Sequence, residues 1–312
     1  IQPCPYPLMV EWWNRKEDRG CTGRDRVSGK AGSRIGRGNR KGYPPGKIEP
    51  FPPLSGFVVC IEPPEETIIY INPPIAIKRV GHTDRLITAS HLLVESGKDV
   101  LMHFTRNTRN MIRIQSDLLG CHAIGVKNLL LLSGDNPSHG DYPETTSVND
   151  IDILDLIRLT KLMNEGTDLA GNKIYGKTDF FVGGALNPFS DEDVERAKQK
   201  IEAGVDFLVT QPLFNSEVAK KIKEELNTKI LASIVFFENA KQMSYFSNVP
   251  GIEIPDEIVN SAEKGDDYLK EKSFESVLRF VEETKDVLDG FYIVAIVKDL
   301  EKIRKVVEIA KS

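Results

Sequence analysis

Asp135 closes the run Leu129-Leu130-Leu131-Leu132-Ser133-Gly134-Asp135-Asn136-Pro137, where an apolar stretch gives way to a small-residue turn carrying one carboxylate. A buried parallel strand that opens into such a turn delivers the carboxylate to the carboxyl end of its sheet, where α/β proteins bind ligands. Held there, away from bulk water, a carboxylate stabilises positive charge on a bound molecule. The same five residues, Ser133 to Pro137, also suit a turn with no further role. A second segment of this design follows in Phe207-Leu208-Val209-Thr210-Gln211-Pro212-Leu213-Phe214, an apolar strand that runs into a hydroxyl and an amide. An amide offers donor and acceptor together, so Gln211 matches a ligand edge that carries both.

The elements around these tips repeat. Residues 191–203 (DEDVERAKQKIEA) predict a helix with acidic residues in its first turn, ended by Gly204, as helix start and stop signals require. The unit is helix, glycine, strand, polar tip. It recurs at 117–125 before a strand at 127–132, and at 216–226 before a strand at 230–235. Repeated alternation of this kind predicts a parallel sheet with crossover helices. Strands are expected at 57–61, 68–71, 99–104, 127–132, 179–184, 206–210, 229–235 and 290–296. Helices are expected at 84–97, 108–124, 150–164, 191–203, 215–226, 239–246 with a stretch to 287, and 299–311. Eight strands in roughly 250 residues match a (β/α)8 barrel; a doubly wound open sheet is the alternative. In a barrel the tips converge on one mouth, so His103, Thr105, Asp135, Asn187 and Gln211 would share one pocket. One link departs from the pattern. The stretch 62–67 is too short to hold a crossover helix, which needs a dozen or more residues.

The tips also carry a family likeness. The run Gln115 to Asp135 (QSDLLGCHAIGVKNLLLLSGD), then Ala185-Leu186-Asn187-Pro188, then Lys200 to Phe214 (KIEAGVDFLVTQPLF), and Val249-Pro250-Gly251-Ile252-Glu253-Ile254-Pro255 resemble the methylenetetrahydrofolate reductases. The similarity covers about 68–312 and is dense from 99 to 255. It implies an FAD enzyme on a (β/α)8 barrel that takes a one-carbon pterin from the methylene to the methyl level. By position, the resemblance puts His103, Thr105, Gly134 and Asn187 on the flavin and Asp135 near both flavin and pterin. Asp193, Arg196 and Lys200 fall on the ribose and phosphates, and Gln211 on the pterin. Residues 193, 196 and 200 share one side of a helix by their spacing; without the resemblance they would be an ordinary solvated face. No metal is implied. Electrons would come from NADH, NADPH or a partner protein, with a homo-oligomer or a hetero-complex expected.

Departures from the family are as informative. Its members carry a glutamate at the end of the first strand, three residues before the first Pro-Pro, as the acid of folate ring opening. Here Cys60 stands at that place, with Glu62 two residues on, in Cys60-Ile61-Glu62-Pro63-Pro64. Residues two apart on a strand face the same way, so Glu62 is the expected acid, acting from a shifted position. Desolvation near the prolines would raise its pKa; a thiol is the poorer donor. Ala240 replaces an aromatic found in some members, and Val297, followed by Lys298, stands where others have arginine.

Residues 1–56 form a separate, irregular segment, and 57–312 the catalytic barrel. The first 56 hold nine Gly and eight Pro, with eleven Lys/Arg against five Asp/Glu, a composition that does not bury enough apolar surface to fold alone. A basic arm for nucleic acid is one reading of it and a mobile tail another; nucleic acid is not the expected partner. The whole chain carries a formal charge of −5, too mild to name one. No apolar run suits a signal or a membrane helix, and a cytoplasmic enzyme is expected. The four cysteines (Cys4, Cys21, Cys60, Cys121) lack the spacing of a disulfide framework or zinc site. Residues 171–178 (GNKIYGKT) satisfy a phosphate-loop pattern letter for letter, but that loop must leave a strand and open a helix. Here a helix precedes it and a strand follows, so it is rejected. Two other function classes remain: another flavin barrel such as a proline dehydrogenase, and a non-catalytic or partner-dependent subunit, which the Cys60 and 62–67 departures favour.

Overall fold

The computed structural model describes residues 57–62, 66–71, 82–135, 143–295 and 299–312, with the backbone alone for 57–85 within those ranges and for 295. Every described residue belongs to one compact unit, Phe51–Ser312. The expectations for residues 1–56 and for Val297 lie outside the described residues.

Eight strands form one sheet: β1 (Phe57–Glu62), β2 (Glu66–Ile71), β3 (Leu101–Thr105), β4 (Asn128–Leu132), β5 (Phe181–Leu186), β6 (Phe207–Pro212), β7 (Lys229–Ile234) and β8 (Gly290–Ala295). Their spatial order is β2-β1-β8-β7-β6-β5-β4-β3. Strands β3 to β8 pair in parallel. The helices between them are α1 (His82–Glu95), α2 (Met111–Ala123), α3 (Ile153–Glu165), α4 (Asp191–Ala203) and α5 (Ser216–Glu225). The last crossover carries α6 (Ala240–Ser247), α7 (Asp256–Ser261) and α8 (Asp266–Thr284), and α9 (Leu300–Lys311) follows β8.

The sheet curls strongly. His103 of β3 and Tyr292 of β8 meet, with Tyr292 Oη 3.1 Å from His103 Nε2, although five inter-strand steps separate their strands. A flat sheet would hold them roughly 24 Å apart. Alternation along each strand then sorts side chains between two faces. Leu101, Leu130, Phe207, Val209, Leu231 and Tyr292 pack together inside the curl. Met102, Leu129, Val182, Leu208, Ile230 and Ile293 pack outward, in the same cluster as Leu118, Ala197, Ile222 and Phe280 of the helices. Phe181 and Phe207 stack inside at 5.1 Å, and Gly183 makes room for them, because a Cβ there would lie 2.3 Å from Phe207 Cζ.

The first two strands correct the expected topology. β1 runs antiparallel to β8 and β2 antiparallel to β1. Among the described residues there are eight strands, of which six are parallel, and β2 and β3 do not pair. The cause is the short link: only three residues separate β1 from β2, which permits a hairpin and forbids a parallel crossover. This register also moves Glu62. Phe57 lies opposite Ala295 and Ile61 opposite Phe291, so β1 starts beside the carboxyl end of β8 and Glu62 sits where β8 begins. That is roughly 17 Å along the strand from the expected pocket, and Glu62 is not brought to the tips of β3 to β8.

Candidate active site at the carboxyl ends of the strands

The tips of β3 and β4 are tied together by the loop between β3 and α2. Arg106 N–H donates to Leu132 O at 3.1 Å and Asn107 N–H to Ser133 O at 3.2 Å, extending the ladder past the strands. Asn107 Nδ2 donates to the carbonyl of Asp135. Gly134 sits beneath this amide at φ +83°, where a Cβ would come 2.1 Å from Asn107 Oδ1. Glycine is required there both by the left-handed backbone and by the close approach. The Asp135 backbone is thereby fixed while its side chain stands exposed at the mouth.

Arg109 anchors the same loop from below. Its guanidinium stacks 4.2 Å over the Phe104 ring, donates to the Thr105 carbonyl and lies 3.3 Å from Thr105 Oγ1. Asp117 of α2, 7% exposed, accepts from Arg109 at 2.9 Å and from Arg113 at 2.7 Å. Burial pulls the Arg109 pKa down and the hydrogen bond with Asp117 opposes it, so the carboxylate is what keeps a buried cation tolerable. Cys121 lies nearby in the core; burial and the Asp117 charge push its thiol up to about 12, which leaves it protonated and inert. Thr108, at φ 61°, is the non-glycine residue in the left-handed region among those described, a conformation costly for a β-branched side chain. His103 is half-buried, and burial lowers its pKa to about 3. It therefore meets Tyr292 as a neutral imidazole.

On β5 and α4 the arrangement differs from a simple surface face. Asn187 Oδ1 accepts from Phe189 N–H at 3.2 Å. Gly251, at φ +79°, packs against that amide so closely that a Cβ would lie 2.6 Å from Asn187 Cγ. The 249–255 segment thus closes on the β5 tip. Helix α4 is capped by Ser190, whose hydroxyl accepts from Asp193 N–H, carries three acids in its first turn and ends at Gly204 in the left-handed conformation. Lys200 is tucked under the strand, its Nζ donating to Ala185 O at 2.6 Å. Its pKa is lowered by burial and by Arg196, against an opposing effect of Asp193. The three charges of this face therefore sense one another, with Arg196 exposed and the other two half-buried.

Gln211 leaves β6 at a bulge. Val209 is opposite Leu231 but Pro212 is opposite Ser233, so β6 carries one extra residue against β7. Thr210 and Ser233, both buried, close the gap with their hydroxyls, and Gln211 is half-buried. Between the β5 and β6 tips and the 249–255 segment lies a cleft of about 310 Å³ bordered by Phe189, Phe214, Asn215, Glu253 and Asp256.

His103, Thr105, Asp135, Asn187 and Gln211 thus lie at one end of the sheet. Glu62 lies at the other end. Sequence reasoning missed Asn107, the Arg109–Asp117 pair, Tyr292 and the Thr210–Ser233 pair. The missed signals were Pro212, which a central strand tolerates only at a bulge, and Gly251 inside a segment already singled out.

Residues 80–309 match the family described as methylenetetrahydrofolate reductase. The chain belongs to that family. A probable methylenetetrahydrofolate reductase (NADPH) of Caenorhabditis elegans is 24% identical over 181 residues, 56% of this chain and 26% of that protein. Methylenetetrahydrofolate reductase 2 of Schizosaccharomyces pombe is 22% identical over 203 residues, 61% of this chain and 32% of that protein. The chain therefore spans about a quarter to a third of the length of these curated relatives. Among solved structures, a 2,3-dimethylmalate lyase of the PEP mutase/isocitrate lyase superfamily aligns at TM-score 0.44 and 10% identity, over 77% of this chain and 72% of its own. A protein from Clostridium thermocellum that binds two copies of 5-methyl-5,6,7,8-tetrahydrofolic acid aligns at TM-score 0.33 and 16% identity, over 72% and 98%. Among the described residues no helix is long and apolar enough to cross a membrane.

Proposed function

We propose that this chain is a flavin-dependent reductase that converts 5,10-methylenetetrahydrofolate, or a related one-carbon pterin, to its 5-methyl form. The observation that carries this reading is the shape of the concave face in a chain of this family. Its floor of Leu101, Leu130, Phe207 and Leu231 is fully buried. The layer above it, with His103, Thr105, Leu132, Ala185, Gln211 and Val294, is only half-buried. A flat heteroaromatic ring fits where an apolar floor meets convergent polar groups. FAD suits these residues. His103, Thr105, Gly134 and Asn187 would hold its ring side, and Asp193, Arg196 and Lys200 its ribose and phosphates. Bound there, it supplies hydride for the pterin's one-carbon unit. The protein contributes binding, orientation and field. The neutral His103 adds no charge beside the ring. Gln211 pairs with the donor and acceptor edge of the pterin. The Asp135 carboxylate stabilises the cationic iminium of the substrate. The electron donor is NADH, NADPH or a partner protein, in a homo-oligomer or hetero-complex.

A second reading, a partner-dependent subunit on the same fold, is favoured by the position of Glu62, which puts the expected acid at the far end of the sheet. The first reading requires that the purified full-length chain be yellow, release FAD on denaturation and take it up again from solution. A colourless protein that fails to take up added FAD overturns it. A yellow protein that turns over only with a second subunit selects the other.

A further inference from the structure

We propose that Thr210 and Ser233 are positioning residues that lock the β6 bulge and so set the direction in which Gln211 meets the pterin; this rests on the reading of Gln211 given above. A bulge leaves backbone groups of the longer strand without partners in the ladder. Here two hydroxyls replace the missing partners in a single closed circuit. Ser233 N–H donates to Thr210 Oγ1 at 3.0 Å. Thr210 Oγ1 uses its one proton on the Gln211 carbonyl at 2.7 Å. Ser233 Oγ donates to the Thr210 carbonyl. Beyond the bulge the ladder resumes with Leu213 N–H donating to Ser233 O at 2.9 Å. Pro212 has no N–H to offer, so the ladder has nothing to lose at that position.

Both hydroxyls are buried, Thr210 at 4% and Ser233 at 3% exposure, so water does not substitute for them. Valine has the shape of threonine without the hydroxyl. With valine at 210 the Gln211 carbonyl and the Ser233 N–H both lose their partner inside the fold, and the cheapest relief is to shift the bulge. Gln211 is the residue that shift moves. The side-chain bonds of the circuit stay within β6 and β7. β5 meets Thr210 through the backbone ladder, Leu186 opposite Thr210, and that pairing, which needs no side chain, holds the β5 tip in place while Gln211 moves.

The test is steady-state and rapid-reaction kinetics on the FAD-loaded full chain carrying Thr210→Val, Ser233→Ala, Thr210→Ser or Gln211→Ala. Thr210→Val and Ser233→Ala are expected to raise the KM for the methylene-pterin on the order of tenfold, the effect of one lost hydrogen bond. Flavin affinity and the rate of flavin reduction by the donor should stay at wild-type values, and Thr210→Ser should restore the KM. If Thr210→Val does not fold, Ser233→Ala and Thr210→Ser carry the same comparison. A raised KM in Gln211→Ala with unchanged KM in Thr210→Val and Ser233→Ala overturns the positioning role alone. An unchanged KM in Gln211→Ala overturns the pterin assignment of Gln211 and the positioning role with it.

Discussion

Replacing Asp135 by asparagine is expected to slow reduction of a methylene-pterin about a hundredfold while the chain keeps its fold and its flavin. The expectation follows from what holds the turn. The Asp135 contact with Asn107 uses the backbone carbonyl, and the left-handed bend is supplied by Gly134. The side chain is exposed at the mouth, so an amide of the same shape leaves the local packing intact and removes only the negative charge. That charge acts on the cationic iminium, which forms after the donor has reduced the flavin. Stopped-flow traces should therefore show slow reoxidation by the pterin and much less change in reduction by the donor. Equal rates in both half-reactions for the variant and the wild type would return Asp135 to turn chemistry.

Asp117→Asn is expected to cost about 3 to 5 kcal/mol of stability, the usual penalty for leaving a buried charge without its partner. Among the described residues Arg109 meets a carboxylate at Asp117, 2.9 Å away, while its other bonds go to the Thr105 carbonyl and hydroxyl. Arg113 is half exposed, with 54% of its side chain accessible, and turns to solvent at little cost. Arg109, at 10%, has no such route. Urea denaturation of variant and wild type at neutral pH measures the difference. The double replacement Arg109→Met with Asp117→Leu should recover much of the loss, because a buried ion pair and an apolar pair of similar volume are close in stability. A loss below about 1 kcal/mol in Asp117→Asn would show that the pair does not anchor the β3 tip.

The six parallel strands were legible because each is a short apolar run between helices that carry their own start and stop signals. Ser190, Asp193 and Gly204 at α4 are the plainest case. The direction of β1 was not legible in the same way. Apolar content and alternation are identical for a strand run either way, and only the shortness of the 62–67 link carried the answer. It pointed to a hairpin, which the expectation of eight parallel strands hid, and Glu62 was misplaced as a result. The tips His103, Thr105, Asp135, Asn187 and Gln211 were legible because polar residues at the carboxyl end of apolar strands stand out. Their supports were not. Arg109 and Asp117 lie eight apart across a loop and a helix start, a spacing with no local periodicity, and Asn107 over Gly134 is a contact between two different loops. Tyr292 belongs to His103 only because the sheet curls, a property of the whole sheet and of no single segment.

The most direct test is anaerobic. The full chain, loaded with FAD and fully reduced, is mixed with 5,10-methylenetetrahydrofolate; the flavin absorbance is followed and the folate product identified. The account predicts that flavin absorbance returns as one equivalent of the 5-methyl product forms, faster in the wild type than in Asp135→Asn. A reduced flavin that persists in the presence of saturating methylene-pterin, or reoxidises without forming the 5-methyl product, would contradict it.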